Sequence, residues 1–175
     1  GIPNGKKLKA CIPGGSSVPI LPANLLLTTA KGEKRLMSYE SLADGGFATG
    51  SMMGSGGFIV LDEDQCVVKN TYTLARFYRH ESCGQCSPCR EGTGWMEKIL
   101  HRILDGHGTM SDIDLLWDIQ GKIEGKTICP LGDAAAWPVA AAIRHFRSEF
   151  EEYITNPKSI KDVKHYYRLN NLQSA

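Results

Sequence analysis

The sequence lacks most of what would mark a chain of its size for a membrane, a nucleic acid or acid–base catalysis. No stretch approaches the roughly 18 uninterrupted apolar residues of a membrane span. The longest apolar run, Ala134 to Ile143, is broken by Pro138 and followed by charge. Net charge is nearly absent: 20 Lys and Arg against 19 Asp and Glu leave +1, so nothing asks for nucleic acid or an anionic membrane surface. The chain opens on Gly1 without the charged-then-apolar pattern of a secretory leader. There is no lysine-bearing phosphate loop. Gly54-Ser-Gly56-Gly57 precedes a strand-like run, whereas a dinucleotide fingerprint follows a strand and opens a helix. Gly14-Gly15-Ser16-Ser17 reads as a turn before it reads as an anion cradle. No nucleophile–base pair emerges, and no catalytic residue is expected.

What is present is an ordinary globular composition with one anomaly. The 175 residues are 42% hydrophobic and 22% charged, which excludes a mostly disordered chain and suffices for one domain or two small ones. The anomaly is cysteine: six residues, three of them in the segment Cys83-Gly-Gln-Cys86-Ser-Pro-Cys89. Disulfide scaffolds are usually shorter and denser in cysteine, and a chain that can build a core does not need such staples. Closely spaced reduced cysteines point instead to a metal or cluster.

Residues 1–70 carry short β-like pieces and much of the glycine. Lys7 to Ile12 alternates like a half-buried strand and stops at Pro13-Gly14-Gly15. Val18-Pro19-Ile20-Leu21 is an edge strand or a loop because of its proline. Ser38 to Ala43 reads as one or two helical turns, and Phe58-Ile59-Val60-Leu61 as a buried strand. Cys66-Val67-Val68 either extends the sheet or begins a helix.

From residue 71 the apolar period becomes helical. Leu74, Phe77, Tyr78 and Glu81 predict a short helix running into the cysteines. Trp95, Met96, Ile99, Leu100, Ile103 and Leu104 stripe a second, ended by Gly106 and Gly108. Ser111 with Asp114 predicts a capping-box start for a third, carrying Ile113, Leu116, Ile119 and Ile123. Val139, Ile143, Phe146, Phe150 and Ile154 stripe a fourth, with Pro138 in its first turn. The expected fold class is therefore α+β: a small α+β unit over 1–70, a four-helix bundle over 71–155, and a basic tail over 156–175. That tail is either solvated or an arm on a partner protein.

Three thiolates spaced Cys-x-x-Cys-x-x-Cys around a tight loop can cap three corners of a cube, as ferredoxin-type sequences do for a [4Fe-4S] cluster with a further cysteine from elsewhere. Cys129-Pro130 is the obvious fourth. In a bundle, Cys89 sits just before the second helix and Cys129 just before the fourth, where free N–H groups and a partial positive charge favour an anionic cluster. Arg90 adds a full charge. Zinc is the rival; structural zinc sites usually pair two separated Cys-x-x-Cys units, and Cys129 has no cysteine near it. A thioredoxin-like Cys-x-x-Cys would leave the third cysteine unexplained. Cys11 and Cys66 read as ordinary buried thiols. His80, three residues before Cys83, reads as a surface or hydrogen-bonding residue, and His101, His107, His145 and His165 have no ligand spacing.

Glu81-Ser-Cys83-Gly-Gln-Cys86-Ser-Pro-Cys89-Arg-Glu-Gly92, with Ile128-Cys129-Pro-Leu-Gly-Asp133 and Arg144-His-Phe-Arg147, resembles the flavoprotein, NADH-oxidising subunit of respiratory complex I. Ile12-Pro-Gly-Gly-Ser-Ser17 resembles that subunit's ubiquitin-like β-grasp domain, called SLBB. The resemblance runs over residues 8–155. It implies a β-grasp unit followed by a four-helix bundle holding a [4Fe-4S] cluster on Cys83, Cys86, Cys89 and Cys129. By the same resemblance the cluster takes electrons from FMN and relays them toward quinone, and the turn after Cys129 lies close to the flavin. The family's FMN- and NADH-binding domain has no counterpart among these residues, so the chain looks like the later part of such a subunit, without its hydride-transfer site. The implied partners are a [2Fe-2S] subunit and a multi-cluster subunit. The implied location is peripheral, on the cytoplasmic side of a bacterial inner membrane or the matrix side in mitochondria. Two other settings stay open: the equivalent module of an NAD-linked hydrogenase or formate dehydrogenase, and a non-redox zinc-binding interaction module.

Overall fold

A computed structural model describes residues 1–28, 32–43 and 50–156. The alternating segment forms β1 (Leu8–Ile12), and Leu21–Pro22 and Ile59–Asp62 form β2 and β5 on either side of it, both antiparallel. Cys11 stands opposite Leu21 on one side and Val60 on the other. The proline-bearing β2 is an edge, as proline's missing donor requires. Short β3 (Leu27–Thr28) and β4 (Lys34–Arg35) pair separately, and α1 (Tyr39–Ala43) supplies the expected helical turn.

The two faces of β1 serve two cores. Ala10 and Ile12 join the large core of the molecule, while Cys11 joins Leu21, Leu27 and Leu42 in a smaller one. The smaller core stops short of β5. Of the segment expected to be a buried strand, only Leu61 is buried; Phe58 and Val60 are 55% and 48% exposed. The β-branched run marked a strand correctly, but the smaller core does not extend over it, so the face bearing Phe58 and Val60 stays open.

Four long helices follow: α2 (Val67–Glu81), α3 (Ser87–Leu104), α4 (Met110–Ile123) and α5 (Leu131–Thr155). Each packs against two neighbours in the cyclic order α2–α3–α4–α5, and their apolar stripes meet Ala10, Ile12, Val18, Ile20 and Leu61 of the sheet region in one contiguous core. The architecture is α+β. The helix starts choose between the two readings of Cys66 and move other boundaries away from the sequence reading. Cys66 begins a helix and caps it: its Sγ accepts the Lys69 N–H, and Glu149 Oε2 of α5 accepts that of Val67 (3.2 Å). The capping box of α4 is Thr109 with Asp112, two residues earlier than Ser111 with Asp114. Both frames fit the pattern; the earlier one is chosen because Asp112 also receives the Arg102 guanidinium of α3. Pro138 lies well inside α5. The segment Leu131-Gly-Asp-Ala-Ala-Ala-Trp137 is already helical, because the three alanines are the best helix formers and pack into the core. Trp95 is half exposed on the rim between α3 and α4, outside the buried stripe expected for it. The expected basic tail, apart from Asn156, lies outside the described residues.

A candidate metal centre at the helix N-termini

The α2–α3 and α4–α5 connections meet in space. Cys83 and Cys86 lie in the first connection, Cys89 in the first turn of α3, and Cys129 in the second connection. The four thiols line one cavity of about 150 Å³, together with Glu81, Ser82, Gln85, Thr127, Ile128 and Leu131. A direct contact closes it: the Ile128 N–H donates to Cys86 Sγ at 3.4 Å, across 42 positions of sequence. Cys86 is the N-cap of α3, and Cys89 sits three residues on, inside the helix where it was expected just before it. The helix begins at Ser87 because Pro88 suits the first turn, where a donor is not needed.

Local bonds hold both connections. Gly84 has φ +76°, the left-handed turn that lets the backbone double back between Cys83 and Cys86. The Arg90 guanidinium folds over that turn and donates to Gly84 O (3.0 Å), to Ser87 Oγ (3.5 Å) and to Glu91 (2.8 Å). Ser82 ends α2; its Oγ accepts the Gly84 N–H (3.4 Å) and lies 3.2 Å from Cys89 Sγ. In the second connection, Thr127 Oγ1 donates to Cys129 O (2.9 Å), the Gly125 N–H donates to Asp133 Oδ1 (2.7 Å), and Trp137 Nε1 donates to Glu124 (2.8 Å). Gly132 is buried beneath Thr127, where a Cβ would meet Thr127 Oγ1 at 2.3 Å.

The two remaining cysteines are elsewhere. Cys11 is buried in the smaller core, and Cys66 bonds Tyr153 Oη (3.0 Å) at the far end of α2. Burial raises both thiols above their ordinary pKa, in Cys66 against the lowering effect of its hydrogen bonds, so both favour the neutral thiol over the thiolate a ligand must be. His80 is exposed beside Glu81. His101 packs edge-on against Tyr72, and burial together with Arg144 lowers the pKa of His145. Neither reaches the cavity.

The donor set suits an anionic iron–sulfur group: four soft thiols, two helix N-termini and almost no other polar surface. The thiols line walls; among the described residues no three Cys, His, Asp or Glu side chains converge as ligands of one metal ion do. Ser82, Thr127 and Asp133 were not singled out from sequence. Thr127-x-Cys129 carried a usable signal, since a threonine two residues before a turn residue commonly bonds the local backbone.

Residues 69–153 match the NADH-ubiquinone oxidoreductase-F iron-sulfur binding region. The F-type chain of NADH-quinone oxidoreductase from Rickettsia bellii is 50% identical over 147 residues, covering 84% of this chain and 33% of the relative. Its Rickettsia typhi counterpart is 48% identical over 149 residues, covering 85% and 33%. The chain therefore spans about a third of the length of the curated relatives it matches. Among solved structures, an NAD+-reducing [NiFe]-hydrogenase in the H2-reduced state superposes with a TM-score of 0.68 at 28% identity, covering 86% of this chain and 24% of that one.

Proposed function

Since residues 69–153 belong to the NADH-ubiquinone oxidoreductase-F iron–sulfur binding family, we propose that this chain holds a [4Fe-4S] cluster on the thiolates of Cys83, Cys86, Cys89 and Cys129. The observation that carries the reading is the meeting of these four thiols on one cavity wall at two helix N-termini. A [4Fe-4S] cluster takes up and passes on one electron. The residues around it do the rest. The N-terminal N–H groups of α3 and α5 offset the anionic charge, Arg90 and Thr127 brace the two connections, and the exposed Ile128 forms an apolar rim.

On this reading the chain is an electron-relay module of an NADH:quinone oxidoreductase, passing electrons from FMN toward quinone. FMN and NADH are handled by a flavin domain outside these 175 residues. The 1–70 part is an SLBB-like β-grasp unit, 71–155 a four-helix cluster-binding bundle, and 156–175 a basic tail. The partners are the [2Fe-2S] and multi-cluster subunits of a peripheral arm on the cytoplasmic or matrix side. No described helix is long and apolar enough to cross a membrane, which is compatible with a peripheral place. The superposition on an NAD+-reducing hydrogenase supports a second setting, the same relay in a hydrogenase flavoprotein; identity of 50% to the quinone-reductase relatives against 28% favours the first.

The test is anaerobic purification with iron, sulfide and zinc analysis. About four irons per chain and a broad absorption band that bleaches with dithionite are expected. One zinc per chain and no colour would sink the proposal.

A further inference from the structure

We infer that Ser82 is a positioning residue that sets the reduction potential of the centre through Cys89; this rests on the cluster reading above. Ser82 closes α2, its N–H bonding Tyr78 O at 3.0 Å, so its side chain is held at the cavity edge by a rigid helix end. Its Oγ lies 3.2 Å from Cys89 Sγ and accepts the Gly84 N–H at 3.4 Å. Between two neutral groups either atom can donate. A ligating Cys89 is a thiolate and has no proton, so the hydroxyl of Ser82 is then the only possible donor of that pair. The Gly84 N–H occupies one lone pair of Oγ and steers the hydroxyl proton toward sulfur. Cys89 is 6% exposed, so no bulk water replaces this bond, and the low local dielectric strengthens it.

The chemical consequence has a definite sign. Reduction adds one negative charge, part of which resides on the ligand sulfurs. A donor to sulfur stabilises the reduced form more than the oxidised form and raises the potential. The electron arrives and leaves unaccompanied, with the hydroxyl proton staying on oxygen in both states.

The experiment uses the full chain with its cluster assembled, and reads the potential by a redox titration followed by EPR. Ser82→Ala is expected to bind as much iron as the parent yet favour the oxidised form at least threefold more, a fall of about 28 mV at 59 mV per decade for one electron. Ser82→Thr, which keeps the hydroxyl, is expected to restore the parent potential. Thr155→Ala removes a hydroxyl at the far end of α5, where it donates to Glu151 O, and is expected to leave the potential unchanged. In D2O the reduced parent should show a deuterium coupling from the Ser82 hydroxyl, beyond those of exchangeable backbone N–H groups such as that of Ile128 on Cys86, and Ser82→Ala should lose that one coupling and keep the others. An unchanged potential in a fully loaded Ser82→Ala overturns the inference while leaving the cluster reading intact. Failure of the parent itself to bind iron overturns both. Should Ser82→Ala lose its cluster, Ser82→Thr decides: parent potential and a retained deuterium coupling support the role, and a shifted potential overturns it.

Discussion

At the scale of single residues, what distinguishes the six cysteines is their surroundings. Cys86 sits on a helix cap, Cys89 in a first turn, and Cys83 and Cys129 on exposed connections facing them, whereas Cys11 is buried among apolar side chains and Cys66 is half-buried against Tyr153 at the other end of α2, and in both burial favours the neutral thiol. The difference predicts opposite outcomes for two identical substitutions. Cys129→Ser is expected to abolish the cluster or degrade it, with loss of iron and of the EPR signal. Cys11→Ser is expected to keep four irons and the parent spectrum, at a cost of about 1–3 kcal/mol in stability for a hydroxyl in an apolar core. An unchanged EPR signal from Cys129→Ser would remove it from the ligand set. The spacing Cys-x-x-Cys-x-x-Cys made three candidate ligands legible as a group; Ser82 was not, because a serine beside a cysteine has no pattern until the fold shows which sulfur it meets.

At the scale of elements, caps and close approaches decide where the helices begin, and hence where the thiols stand. The clearest case is α4. Burial alone would raise the Asp112 carboxyl, but hydrogen bonds from Arg102, from the Thr109 N–H and from the Thr109 hydroxyl outweigh it and hold its pKa below the ordinary 3.8. A carboxyl depressed on folding stabilises the native state above its unfolded pKa and loses that contribution as pH falls through the folded one. Asp112→Asn is therefore expected to cost about 2 kcal/mol near neutrality, at the level of a charged hydrogen bond to a half-exposed arginine. In chemical denaturation across pH, the gap between parent and variant is expected to close below pH 3.8. A gap independent of pH would show that the carboxylate charge contributes nothing. The sequence held two capping-box frames two residues apart, and only the partner helix selected between them.

At the scale of the whole molecule, sheet and helices share one core. Ala10, Ile12, Val18, Ile20 and Leu61 pack with Val68, Tyr72, Val139 and Phe150, and the Lys9–Glu149 ion pair (2.6 Å) ties β1 to α5. Such sharing predicts that the residues on either side of position 70 unfold together. Thermal unfolding of the anaerobic protein is expected to give one transition, coincident in far-UV and near-UV circular dichroism. Two separated transitions would instead show that residues 1–70 are an independent unit.

The sequence by itself determined the α+β class, the four amphipathic helices and the three clustered cysteines, because periods of two and 3.6 and Cys-x-x-Cys spacing are local properties of the chain. The tertiary structure alone decided what depends on a neighbour: that β5 keeps an open face, that α5 begins before Pro138, that Thr109 caps α4, and that the Ile128 N–H reaches Cys86. Cys129 stands 40 positions beyond Cys89 in sequence. Only the packing of the helices against one another brings their two connections together, and with them the fourth thiol to the other three.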